Sequence, residues 1–122
     1  MLSHSFQNRN YFLVSFSLQY LNSKLSDAVE ILTTGEGDAR TRLAKAIPKI
    51  RVLSISSFPA ELQKDFDWVK ATIERGADIS GPGWPPPDKL TAITNATASK
   101  VIQKIVDIQE RIELLLESEL ES

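Results

Sequence analysis

Apolar residues recur along this chain at steps of three and four, in four separate stretches. Val14, Leu18, Leu21, Leu25, Ala28 and Leu32 form the first series, the spacing that places side chains on one helical stripe. It predicts a helix from about Asn10 to Thr33. Before Leu18 the pattern has a second reading, since Phe12, Val14, Phe16, Leu18 and Tyr20 also alternate as a strand does. A strand there finds no partner elsewhere in the sequence, so helix is preferred over residues 10–17.

The stretch that follows, Gly35-Glu36-Gly37-Asp38, separates the first helix from the second. Gly35 stands where a helix C-terminus favours a left-handed residue, and Asp38 is placed to accept bonds from the free amides of the next helix. That second helix is expected from Ala39 to about Leu53, with Leu43, Ala46 or Ile47, Ile50 and Leu53 inward. Pro48 lies inside it, lacks an N–H and crowds the preceding turn, so a kink or break is expected there. Pro59 then suits the first position of a third helix and Glu61 its positive end. Leu62, Phe66, Val69 and Ile73 give the cleanest amphipathic stripe in the chain, with Trp68 beside it and at least partly buried, and Arg75-Gly76 closes it.

The connection that follows holds Gly81, Pro82, Gly83, Trp84 and Pro85-Pro86-Pro87, a composition that favours polyproline geometry with sharp reversals. Asp88 is placed to cap a long last helix, in which Leu90, Ile93, Thr97, Val101, Ile105, Ile108, Ile112 and Leu115 keep helical spacing. At 1.5 Å per residue, about 29 residues of such a helix extend roughly 43 Å, against about 24 Å for the second helix. The short middle helices do not cover that length. Ile108, Ile112, Leu115 and Leu116 are therefore expected to meet a second copy of the chain in a homodimer. The expected architecture is all-α: one domain over residues 1–122, a compact bundle of about four helices. About nine N-terminal and about five C-terminal residues are expected to fray, the latter because Glu110, Glu113, Glu117, Glu119 and Glu121 crowd the negative end of the last helix.

Composition narrows the chemistry. There are 122 residues, enough for one core. The net charge is −2, from 14 basic and 16 acidic residues, which lacks the basic excess of a general nucleic-acid binder. There is no cysteine, which removes thiol nucleophiles, disulfides and cysteine metal sites and fits a reducing cytoplasm. The one histidine, His4, stands near the terminus, so a histidine triad or a two-histidine zinc site is not expected. Arg9 followed by Tyr11 to Phe16 has the outline of a short signal sequence, but Ser15, Ser17 and Gln19 interrupt the apolar core and no small-residue cleavage site stands out. Nothing approaches the ~20 apolar residues of a membrane span.

The candidate sites each have a plainer competitor. Gly35-x-Gly37 lacks the third glycine of a dinucleotide loop and the lysine of a P-loop. Glu36 and Asp38 repel a phosphate at the helix start, so a helix–loop–helix corner is preferred. Arg40 and Arg42 point about 200° apart on a helix, so they do not both face one ligand, and one of them is expected to pair locally with Glu36 or Asp38. Asp65 and Asp67 diverge on the third helix, which does not suit paired-carboxylate catalysis. Lys100 and Lys104, one turn apart, are candidates for a polar or anion contact, and a solvated face explains them as well. Asn95-Ala96-Thr97 matches a glycosylation acceptor but falls in an expected helix and is taken as chance. Trp84, held in a rigid loop, reads either as a docking anchor for a partner or as a lid on the core. The arginine–polar–histidine signature of HEPN ribonucleases begins at Arg9-Asn10 and continues with Leu13, Val14, Ser15 and Phe16, without its histidine.

The run Gly35-Glu36-Gly37-Asp38-Ala39-Arg40, with Arg42-Leu43, then Phe58-Pro59, Leu62 and Trp68, resembles a group of short uncharacterised bacterial helical proteins with no established activity. Asn95, Thr97 and Lys100 fit that group's Arg-Asn-x-Thr-Gly-x-Lys segment loosely, with Thr94 in place of the arginine and Ala98 in place of the glycine. The resemblance spans roughly Leu18 to Ile105 and implies a bacterial origin and a helical fold; it carries no functional residues. The functional expectation is a non-catalytic accessory or regulatory protein, cytoplasmic, with no metal or other cofactor, acting through protein–protein interaction. The alternative is a nucleic-acid-associated regulator using Lys89, Lys100, Lys104 and neighbouring arginines.

Overall fold

The periodic stripes become four α-helices in the computed structural model, which describes the backbone of residues 2–76, 90 and 92–121 and the side chains of residues 17–76, 90 and 92–119. Helix α1 spans Leu2–Thr34, α2 Ala39–Ile50, α3 Ala60–Gly76 and α4 Asn95–Glu121, with a 3-10 turn at Ile55–Ser57 between α2 and α3. The described residues include no strand, so the protein is an all-α bundle and residues 10–17 are helical. Trp84, Asp88 and Lys89, with the rest of the proline-rich connection, lie outside the described residues.

Helices α1, α2 and α4 pack against one another in all three pairings, and α3 packs against α4 and the 3-10 turn. Each stripe points where its spacing predicts. Leu21, Leu25, Ala28 and Leu32 of α1 are fully buried, as are Leu43, Ala46, Ile47 and Ile50 of α2 and Phe66, Val69 and Ile73 of α3. Each such Leu, Ile, Val or Phe side chain contributes about 1.5–3 kcal/mol relative to exposure. A polar tie joins α1 to α4: Gln109 of α4 donates from Nε2 to Ser26 Oγ of α1 at 2.6 Å. The connection from α2 to α3 is anchored by Phe58, whose ring stacks on Phe66 with centroids 4.1 Å apart.

Several expectations about boundaries change. α2 carries Pro48 within it and ends at Ile50, so the break comes two residues after the proline; Leu53 is buried beyond the helix end. α4 starts at Asn95 rather than just after Asp88. Thr94 caps it, its Oγ1 accepting from the Thr97 amide at 3.1 Å, an arrangement threonine favours at a helix start. Leu90 and Ile93 are apolar because the connecting segment packs on the core, not because they are helical; Ala92 donates its amide to the last carbonyl of α3, at Gly76, at 2.9 Å. α1 begins at Leu2 and α4 ends at Glu121.

The expected homodimer stripe also changes. α1 has 33 residues and α4 has 27, about 50 Å and about 40 Å at 1.5 Å per residue. A helix longer than α4 thus lies against it, which removes the premise that α4 outruns its neighbours. Ile108 and Ile112 are 1% and 0% exposed within the single chain. They belong to its own core and offer nothing to a partner. Leu115 and Leu116 are partly buried against the same core.

Candidate functional site

Two places in the fold gather polar side chains from distant parts of the sequence: the corner between α1 and α2, and the groove between α3 and α4. The corner contains the glycine-rich run. Asp38 sits in extended backbone as the N-cap of α2, and its Oδ1 accepts from the Thr41 amide at 2.9 Å. Its Oδ2 accepts from Asn95 Nδ2 at 3.2 Å, while Asn95 Oδ1 accepts from the Arg40 amide at 3.0 Å. Asn95, the first residue of α4, thus closes the start of α2 from the other side.

These bonds answer the phosphate question. A helix N-terminus binds an anion through its free amides, and here the Thr41 and Arg40 amides are already bonded to side-chain oxygens. Both arginines donate to backbone carbonyls, and the one local ion pair expected with Glu36 or Asp38 does not form among the described residues. Arg42 donates from Nη1 to the Leu32 carbonyl at 2.8 Å, bringing a cation to the negative end of α1. Arg40 donates from Nη1 to the Ile93 carbonyl at 3.4 Å, which ties down the segment that precedes α4. The left-handed residue is Gly37, with φ 104°, and not Gly35. Gly35 is needed for a different reason: its amide donates to the Ile31 carbonyl at 2.9 Å, and a Cβ on it would collide with that same carbonyl oxygen.

The corner leaves one electrostatic signature. Bonding from the Thr41 amide, then from the Thr41 side chain and Asn95, lowers the Asp38 pKa from 3.8 to about 2, with a further contribution from Arg40. Because the folded value lies below the unfolded one, this contribution to stability is complete above about pH 4. It is lost as pH falls through about 2. Asp38→Asn is therefore expected to flatten the fall in stability between about pH 4 and pH 2, seen as a smaller shift of the urea midpoint than in the wild type. An equal shift in both proteins would show that Asp38 is not clasped as described.

The groove is of another kind. Lys104 Nζ of α4 lies 3.6 Å from Asp65 Oδ1 of α3, and Arg111 Nη2 lies 3.5 Å from Glu61 Oε2. Numbers rise along one helix as they fall along the other, so α3 and α4 run antiparallel. Between them opens a groove of about 290 Å³ lined by Glu61, Leu62, Asp65, Asp107, Ile108 and Arg111. Leu62 and Ile108 are buried in its floor, 5% and 1% exposed. Glu61, Asp65 and Trp68 step by four and three along α3 and so share one stripe; Trp68 keeps 38% of its surface exposed. Asp107 accepts from Gln103 Nε2 at 2.9 Å, and among the described residues no cation pairs with it.

Among the sequence candidates, Lys104 is thus engaged by Asp65, while Lys100 is exposed one turn earlier. Asp65 and Asp67 do not converge: Asp65 faces the groove, while Asp67 is exposed and not among its lining residues. Among the described residues, no three histidine or acidic side chains gather as metal ligands, and no helix is long and apolar enough to cross a membrane. The groove itself escapes sequence reading because its facing members lie 39 to 50 residues apart; the one trace is that Glu61 and Asp65 repeat at i, i+4 while Lys104 and Arg111 repeat at i, i+7. Compared with protein-family models, with curated proteins and with solved structures, the chain matches none.

Proposed function

We propose that this chain is a bacterial accessory or regulatory protein of the cytoplasm, without a catalytic site of its own, that docks a protein partner on its α3/α4 face. The groove carries this reading: an apolar floor, a rim of exposed charges and a half-exposed tryptophan on the same stripe. Tryptophan and arginine beside a desolvated apolar floor are the residue types that dominate protein interfaces. The glycine-rich corner supports the reading indirectly, because its polar groups are used up holding α1, α2 and α4 together. The bacterial origin rests on the resemblance of the Gly35–Arg40 and Phe58–Trp68 segments.

A photo-reactive phenylalanine at position 68, introduced in a bacterial host of the native protein, tests it. The expected result is an adduct with one defined protein, absent when the same residue replaces exposed Glu30 on α1. Adducts with nucleic acid would favour the competing use of Lys100 and Lys104, and adducts only with a second copy would make the face a homodimer contact. Either result overturns the reading.

A further inference from the structure

We propose that the α3/α4 groove receives a cationic segment of its partner, a lysine or arginine followed by an apolar side chain; this rests on the docking reading of the same groove. Three of its six lining residues are carboxylates, Glu61, Asp65 and Asp107, against one lining cation, Arg111. The chain already sends two of its own cations toward these acids. The geometry of those pairs marks them as replaceable. At 3.5 and 3.6 Å they lie near the long end of ion-pair distances, and all four side chains are between 37% and 54% exposed. Solvent-screened pairs of this kind contribute little to the fold, so an incoming cation displaces them at small cost. Asp107 needs no displacement, since no cation among the described residues pairs with it.

The floor and the stripe refine the choice of ligand. The stem of an incoming lysine or arginine covers apolar surface while its head stays with the acids, and Leu62 and Ile108 supply that surface. Trp68, on the same stripe of α3, offers an exposed indole to a neighbouring cation, which is attracted by the ring face. An acidic or phosphorylated segment meets three carboxylates instead. A cationic, partly apolar peptide is the complementary occupant.

The probe is a fluorescein-labelled synthetic peptide alternating arginine and leucine, followed by fluorescence anisotropy with the full chain. A matched peptide with glutamate in place of arginine serves as control. Asp107→Asn is expected to weaken binding roughly twofold to fivefold, the scale of one exposed ion pair. Arg111→Gln is expected to tighten it by a similar factor, because it frees Glu61. Asp67→Asn removes the same charge from α3 outside the groove and is expected to leave binding unchanged. These are surface positions, and far-ultraviolet circular dichroism checks that each variant folds. Equal binding of the glutamate peptide, weaker binding by Arg111→Gln, or an equal loss in Asp67→Asn and Asp107→Asn overturns the proposal. The two levels separate cleanly. A defined protein adduct at position 68 whose partner segment is uncharged or acidic sinks the cationic assignment alone, whereas no protein adduct sinks the docking reading itself.

Discussion

Phe66→Ala lowers the stability of the protein by about 3–5 kcal/mol, the range for removing a buried aromatic ring. Phe66 is 0% exposed and lies 4.1 Å from the Phe58 ring at 21°, so the substitution both opens a cavity and removes the stack that anchors the α2–α3 connection. Against a typical stability of about 5–15 kcal/mol, that is a large fraction. The urea unfolding midpoint reads the effect directly. Trp68→Ala, two residues away, is the comparison: its ring is 38% exposed, so its truncation forfeits less burial and costs clearly less. If both substitutions shift the midpoint equally, α3 does not present Phe66 inward and Trp68 outward, and the groove loses its wall.

Gly35→Ala is the second large effect, with an expected loss of roughly 1–3 kcal/mol, the cost of a locally strained backbone. The new methyl collides with the Ile31 carbonyl oxygen, the same atom that accepts from the Gly35 amide. The last turn of α1 must open, and the bond from Arg42 to Leu32 loosens with it. Glu36→Ala, at an exposed neighbouring position, is expected to stay within about 0.5 kcal/mol. Thermal unfolding of the two variants side by side distinguishes a geometric requirement at Gly35 from a general sensitivity of the loop.

These positions show which parts of the fold the sequence reveals. Leu62, Phe66, Val69 and Ile73 are legible because a helix on the outside of a bundle must bury one stripe, and periodicity records that directly. Asp38 is legible for a similar reason, since a helix start has free amides and few residues cap it. Gly35 is legible as a special position, but its cause is not. Its role comes from the closeness of the Ile31 carbonyl, and the positive φ belongs to Gly37. The start of α4 is not legible, because Leu90 and Ile93 keep helical spacing while packing on the core ahead of the helix. Periodicity does not distinguish an apolar turn of helix from an apolar strap across the core.

The groove was not legible at all. A stripe tells which face turns inward but not what stands opposite, and the pairs Asp65–Lys104 and Glu61–Arg111 exist only because α3 and α4 run antiparallel in one register. Asn95 illustrates the same limit. Read along the chain it is part of a chance acceptor pattern; in the fold it joins the starts of two helices. The α4 stripe meets the complementary limit, since its spacing does not tell that Ile108 and Ile112 already have neighbours within the single chain.

The central claim is that function lies on the α3/α4 face while the glycine-rich corner serves the fold. Amide chemical-shift mapping of the isotope-labelled chain, with the partner captured through position 68, tests it most directly. Shifts clustered at Glu61, Asp65, Trp68, Asp107 and Arg111, with Gly35 to Arg42 and Asn95 unmoved, are the predicted result. Shifts centred on Gly35 to Arg42 and Asn95, with the groove silent, would contradict it.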